Sequence, residues 1–373
     1  MAWPAGTPGR SVCRMDGRVD ERFAAVRDVF AGLLDSGAET GAGVAVWHDG
    51  RLVVDLTGGW RDPGRRQLWT SDTLVNVYSV GKPFAALCLL LLVERGRVGL
   101  DDPVARHWPE FTAGATVRQV LAHTAGLPMF PVPRPAEAYG DWALLTADLA
   151  AAEPRWTPGT AAAEHALTYG HLVGELVRRV DGRSIGRFLA DEIAGPWRLD
   201  LAFGLSPADQ RRCADVGYGR PDWAATMLGA PGSLRRLGLG NPAGALDPGV
   251  VNSPLWREAE VPAVNLHATA TGVARCYAGL LAGGTLDGVR LFGPDTVAEL
   301  LRVQYDGPDL LLDRPVRWSL GMQVDDGDWG MGGIGGNVGY ADPGRGFAFA
   351  YVTRHLADFD RVDALTEAVI GCL

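Results

Sequence analysis

The 373 residues predict an α+β fold: one sheet assembled from both ends of the chain, with a helical insertion between them. Three observations carry this. β-rich runs occur early, in GVAVWHDGRLVVDL at 43–56, and again late, in WSLGMQV at 318–324 and FAFAYVT at 347–353. The residues between them, 101–254, hold helical patterns broken by proline and glycine. The expected organisation is a discontinuous sheet domain, 1–100 and 255–373, around a mainly helical insertion domain, 101–254.

The elements follow in chain order. Val19, Phe23, Val26, Phe30, Leu33 and Leu34 recur at helical spacing, and Gly37 supplies a stop. Asp49-Gly50 between two β-rich runs predicts a hairpin. The stretch Phe84–Val93 is too apolar for a surface helix and too short to cross a bilayer, so it reads as a buried helix. HALTYGHLVGELVRRVDG, 165–182, forms a helix with the stripe Leu172, Val173, Leu176 and Val180, closed by Asp181-Gly182. Residues 228–254, rich in glycine and proline, predict a long ordered loop, and Val273–Ala282 a helix. The late strands enclose a glycine-rich run, and a final helix ends the chain.

A net charge of −9 and a pI near 5.3 argue against nucleic acid or an anionic membrane as partner. The five cysteines (Cys13, Cys88, Cys213, Cys276, Cys372) are odd in number, scattered and without a CxxC, which reads as free thiols in a reducing compartment. The first 23 residues show no apolar run of the signal-peptide kind, so a cytoplasmic location is expected. His165 and His171 are six apart and face different sides of a helix, and no metal-binding histidine spacing occurs. The glycine-rich GGIGGNVG does not match a dinucleotide fingerprint, and no GxSxG elbow occurs. No metal or organic cofactor is expected. Asp325, Asp326 and Asp328 read as a solvated turn, and Trp60, Tyr78 and Trp329 as either cleft or core.

Of 35 basic residues only Lys82 is a lysine, and it follows Ser79 by three positions at the start of the buried helix. Guanidinium stays charged in proteins, whereas a desolvated amine can lose its proton. A serine hydroxyl needs a base to become a nucleophile. Ser79 and Lys82, one helical turn apart, can meet and supply both parts, with Ser79 at the helix start where developing negative charge is favoured.

The motifs around this pair extend further. LVNVYSVGKP (74–83), VRQVLAHTAGLP (117–128), WTPGT (156–160), HALTYGHLVGELVRRVDG (165–182), WSLGMQV (318–324) and GMGGIGGNVGYADPGRGFAFAYV (330–352) together resemble the serine β-lactamase and penicillin-binding-protein superfamily. The similarity is to its class C β-lactamase-like branch, which includes the family VIII carboxylesterases. The resemblance implies an antiparallel sheet with flanking helices, a mainly helical second domain, and a site between the two. It also implies attack by Ser79 on a carbonyl, an acyl-enzyme, and an oxyanion hole from the backbone N–H groups of Ser79 and Ile334. Tyr78, His165, Met331, Gly332, Gly333 and Asn337 are its expected substrate-binding positions. His123 of HTAG reads as a structural hydrogen-bonding residue.

The chain departs from that pattern twice. The family tyrosine before the HAxxxG segment is Glu164 here, and Tyr169 lies five residues too far along to replace it. Glu164 reads either as the second proton carrier or as the mark of a site that has lost its function. The late-strand Lys-Thr-Gly or His-x-Gly is Met331-Gly332-Gly333, which removes the cation that helps relatives bind a carboxylate. The expected activity is acyl transfer from a small-molecule ester, thioester or amide to water or to an amine or alcohol acceptor. An esterase and an ATP-independent transacylase of natural-product (antibiotic) biosynthesis both fit. A catalytically impaired binding protein is the alternative, with β-lactamase or D,D-peptidase less favoured. The expected partners are the small-molecule acyl donor and acceptor; the oligomeric state is left open.

Overall fold

The Asp49-Gly50 hairpin is the first feature the computed structural model displays. Both residues take positive φ, 49° and 72°, as a two-residue loop between right-twisted strands requires. The structure describes residues 14–373; the N-terminal reading and Cys13 lie outside the described residues.

Nine strands form the main sheet: β1 (Met15–Val19), β2 (Gly41–His48), β3 (Arg51–Gly59), β4 (Tyr305–Asp309), β5 (Arg314–Trp318), β6 (Gln323–Asp325), β7 (Asp328–Gly333), β8 (Asn337–Asp342) and β9 (Phe347–Thr353). Their order is β1-β3-β2-β9-β8-β7-β6-β5-β4, and every neighbouring pair is antiparallel. The early and late strands meet where β2 pairs with β9. The longest helices among the described residues are α1 (Ala24–Ser36), α2 (Lys82–Glu94), α3 (Thr168–Asp181), α4 (Ala270–Leu281) and α5 (Asp360–Ile370).

β9 is buried on both faces. Phe347, Phe349 and Tyr351 pack with α1 and α5 through Phe30, Leu34, Val362 and Leu365. Ala348, Ala350 and Val352 face the larger core, which holds α2 and α4. The period of two along the strand thus separates bulky from small side chains. α2 is buried from Lys82 to Leu92, with no polar stripe, because it runs through the interior.

Four expectations need correction. Val19 belongs to β1, not to the first helix, since it pairs with Val54. The helix expected from 165 begins at Thr168. The expected loop 228–254 contains the short helices Leu234–Leu239 and Pro248–Val251, and another, Pro254–Glu258, begins at its end. Ser233, Asp247 and Ser253 cap their N-termini. The expected β-rich run 318–324 is not one strand, since Trp318 ends β5 and Gln323 begins β6; the glycine-rich run that follows forms β7, which holds the expected late-strand Met331–Gly333, and β8. Its glycines are needed for close approach. A Cβ on Gly330 would lie 2.3 Å from the Gly339 carbonyl oxygen, and one on Gly333 would lie 2.2 Å from that of Val77.

Candidate active site

Ser79 opens a single 3₁₀ turn, Ser79–Gly81, that runs directly into α2 at Lys82. Side chains three apart in this geometry lie above one another, and Lys82 Nζ sits 2.7 Å from Ser79 Oγ. Tyr78, immediately before, holds φ 51° and ψ −130°, a strained conformation for a non-glycine residue. It marks the bend from the extended segment, where Val77 N–H donates to Leu266, into the turn that presents Ser79.

Lys82 is fully enclosed. Its ammonium has three partners for three donors: Ser79 Oγ at 2.7 Å, Glu164 Oε1 at 2.8 Å and the Ala263 carbonyl at 3.2 Å. Burial pushes its pKa below the ordinary lysine value, and the Glu164 carboxylate opposes part of that shift. Gly170 on α3 brings the third partner close. A Cβ there would lie 2.3 Å from Ala263 N, so only glycine lets the 262–264 backbone lie against α3.

Glu164 comes from outside any helix or strand, and its neighbours fix it. The His123 carbonyl accepts from Ala163 N–H at 3.2 Å, and His123 Nδ1 accepts from His165 N–H at 3.0 Å. One residue thus holds the peptide groups on both sides of Glu164. Its ring packs against Trp318 and Tyr169, with centroids 4.2 and 4.6 Å apart. Since Nδ1 accepts, the neutral ring carries its proton on Nε2. Glu164 Oε1 then lies 3.3 Å from Ser79 Oγ, within reach of the hydroxyl proton. Tyr169 instead directs its hydroxyl at the Leu121 carbonyl, 3.4 Å away.

β7 closes another side. Gly333 lies against the Val77 carbonyl and the Val80 side chain, and its own carbonyl accepts from Gly336 N–H, closing a tight turn with Ile334 and Gly335 at its corners. Among the described residues no backbone carbonyl accepts from the N–H of Ser79 or of Ile334. Met331 is buried against Ala162, Val316 and Trp318 and brings no cation. Gly332 faces the Phe359 ring.

Ser79, Lys82 and Glu164 are thus brought together, with Gly333 packed beside them. Three side chains expected to bind substrate, Tyr78, His165 and Asn337, are enclosed. Tyr78 is enclosed, and its hydroxyl has no partner among the described residues. Both ring nitrogens of His165 are taken by backbone: Nδ1 by the Ala163 carbonyl at 2.8 Å and Nε2 by Leu127 N–H at 3.1 Å. Asn337 Oδ1 accepts from Thr353 N–H at 2.9 Å, which ties the side chain to β9. Neighbours in sequence to a reactive group point elsewhere when they pack the wall behind it. Sequence reading missed the Ala263 carbonyl, because a main-chain acceptor has no side-chain signature; Gly170 was the one available clue. Among the described residues no group of three or more His, Cys, Asp or Glu is placed to hold a metal ion.

The Beta-lactamase family model matches residues 26–371. The chain belongs to the beta-lactamase family. This family member is 34% identical to the esterase/beta-lactamase LipL of Mycobacterium tuberculosis, across 92% of this chain and 83% of that protein. A solved family VIII carboxylesterase matches it with a TM-score of 0.88 and 32% identity, covering 96% of this chain and all of the other. A penicillin-binding-protein homolog from Caulobacter crescentus matches with a TM-score of 0.84 and 35% identity, over the same shares. The antiparallel sheet flanked by helices is the β-lactamase/transpeptidase-like fold that the motifs implied.

Proposed function

We propose that this beta-lactamase-family chain is a serine acyl-transfer enzyme that takes an acyl group from a small neutral ester onto Ser79 and passes it to water or to an amine or alcohol. The observation that carries this is the contact of Ser79 Oγ with both the enclosed Lys82 amine and Glu164, at 2.7 and 3.3 Å. The esterase and carboxylesterase relatives support the hydrolase level of the reading. The site then lies between the sheet domain (1–100 and 255–373), source of Ser79, Lys82 and Ile334, and the insertion (101–254), source of Glu164. Scattered free thiols at Cys88, Cys213, Cys276 and Cys372 support a cytoplasmic setting.

In the first step neutral Lys82 accepts the Ser79 proton as Oγ bonds to the carbonyl carbon. The carbonyl π pair moves to oxygen, where the N–H groups of Ser79 and Ile334 receive it. Collapse breaks the bond to the alcohol, which leaves with the proton from Lys82. In the second step Glu164 accepts a proton from the incoming water or amine as that nucleophile attacks the acyl carbon. Ser79 departs and regains its proton from Glu164. Met331 offers nothing to a substrate carboxylate, which favours neutral esters over penicillins.

Intact mass spectrometry with a p-nitrophenyl ester, then with added amine, tests the reading. The expected result is an acyl adduct on Ser79, absent in Ser79→Ala, that turns over, with kcat/KM for esters above that for cephalosporins. A label elsewhere, or an unchanged rate in Ser79→Ala, overturns the nucleophile. An adduct that never turns over identifies the binding protein instead, and transfer to amine in preference to water identifies a transacylase of the kind used in natural-product biosynthesis.

A further inference from the structure

The turn that carries Ile334 is clamped from behind by a buried ion pair that no step of the chemistry uses. Arg361, on α5, is 3% exposed. Its Nη2 donates to the Gly335 carbonyl at 3.0 Å and to the His355 carbonyl at 2.8 Å. Its Nη1 donates to Glu39 Oε2 at 2.6 Å. Glu39, 1% exposed, precedes β2, and its carboxylate is saturated. Oε1 accepts from the N–H groups of Thr40 and Gly41 at 2.6 and 2.8 Å. Oε2 also accepts from Thr353 Oγ1 at 2.7 Å and from the Tyr351 hydroxyl. One node therefore ties the start of β2, the end of β9, helix α5 and the β7–β8 turn to a single pair of charges.

Besides the clamp, the Gly336 N–H bond to the Gly333 carbonyl closes the turn, and Ile334 packs against apolar neighbours. Gly335 and Gly336 stand at φ 94° and 99°, where glycine is favoured for lack of a Cβ. Two glycines in succession leave the backbone with many conformations to choose from. The Gly335 carbonyl has one further donor, Ala357 N–H at 3.2 Å. A guanidinium contacting both this carbonyl and that of His355 selects one arrangement. The Gly335–Gly336 peptide it holds lies two peptide units along the same tight turn from the Ile334 N–H, which must lie within a few tenths of an ångström of its place to receive an oxyanion. Burying two charges is costly, and the Glu39–Arg361 pair is retained where an apolar pair would also fill space.

We propose that Arg361, oriented by Glu39, is a positioning residue for the oxyanion-binding N–H of Ile334. This rests on the acyl-transfer reading of Ser79. The test uses the full chain with Arg361→Lys, Arg361→Met and Glu39→Gln, each assayed well below its melting temperature. Folded fraction comes from circular dichroism, and the kinetic readouts are kcat, KM and the inhibition constant of an arylboronic acid, whose tetrahedral adduct on Ser79 places an oxygen where the oxyanion forms. Folded Arg361→Met should lose roughly tenfold in kcat, part of the 10²–10³ that removal of an oxyanion donor costs. KM should change little, and boronate binding should weaken by a similar factor. Arg361→Lys should recover part of both, since it restores a charge opposite Glu39. Should Arg361→Met not fold, Arg361→Lys and Glu39→Gln carry the test: each disturbs the clamp while keeping polar groups, and each should lower kcat and boronate affinity together. Wild-type kcat and boronate affinity in the folded variants, with only the melting temperature lowered, would show a merely structural pair and overturn the inference. If the wild-type chain itself forms no adduct on Ser79, it is the acyl-transfer reading that falls, and this inference falls with it.

Discussion

At the scale of single residues, burial and Glu164 act in opposite directions on Lys82. Burial lowers the Lys82 pKa, while the Glu164 charge and hydrogen bond raise it. Glu164→Gln removes the charge, keeps at most a neutral amide acceptor, and leaves the burial. The Lys82 pKa should then fall further, so neutral amine is available at lower pH. The rising limb of the acylation rate against pH should move toward acid in Glu164→Gln. Breakdown of the acyl-enzyme should slow by about 10²–10⁴-fold, the range for loss of a general base. Burst kinetics from pH 6 to 10 separate the two steps. An unmoved limb together with unchanged breakdown would remove Glu164 from the chemistry.

At the scale of elements, the site depends on backbones that approach one another where side chains are missing. Gly170→Ala places a methyl 2.3 Å from Ala263 N, a backbone atom on a packed loop. The loop or α3 must shift, and the Lys82 contact with the Ala263 carbonyl goes with it. We expect acylation to fall by more than about tenfold and stability to drop by roughly 1–3 kcal/mol, as for other overpacked interiors. Stopped-flow acylation and a chemical denaturation curve check this; wild-type values for both would show that the approach is not needed. Turns repeat the same economy of atoms. Asp49-Gly50, Asp287-Gly288 and Asp326-Gly327 all take positive φ at both residues between paired strands. Only the first was recognised from its flanking β-rich runs. The third is the turn expected from Asp325, Asp326 and Asp328, but it joins two strands of the main sheet.

At the scale of the whole molecule, the fold buries histidines as neutral rings. His165 and His171 are pushed down to about 4 and His267 to about 3, and His123 is also driven well below 6.5, burial being the main cause in each. In the unfolded chain these rings protonate near 6.5, so folding excludes protons that the unfolded state binds. Their contribution to stability is complete above pH 6.5 and is lost as pH falls through 4. The raised carboxyls of Glu260, Asp309, Asp363 and Asp328, the last at about 6, act in the opposite direction. Four rings with larger shifts should dominate. The melting temperature should be nearly level from pH 7 to 8 and should decline between about 6.5 and 4. Calorimetry across that range decides it, and a constant midpoint down to pH 4.5 would contradict the assignment. Among the described residues no helix is long and apolar enough to cross a membrane.

The sequence by itself determined what is local. Ser79 and Lys82 are three residues apart at the head of an apolar helix, and helical geometry alone makes them meet. On the proposed role of Lys82, chemistry gives the reason for a lysine there, since arginine cannot act as a neutral base. The Asp49-Gly50 turn and the alternation in β9 follow from backbone preferences over a few residues. Tertiary structure decided the rest. Glu164 reaches Ser79 across 85 positions only because His123 holds the peptides on both its sides. Met331-Gly332-Gly333 was placed on a late strand only through the resemblance, because glycine has no β preference of its own; close packing against Tyr340 and Val77 is what requires it in β7. His165 and Asn337 sit close to Glu164 and Ile334 in the sequence, yet His165 Nε2 and Asn337 Oδ1 each accept from a backbone N–H, 38 and 16 positions away. Whether a polar side chain is free for a substrate depends on which distant N–H or carbonyl has already claimed it, and the chain acquires those partners only when it folds.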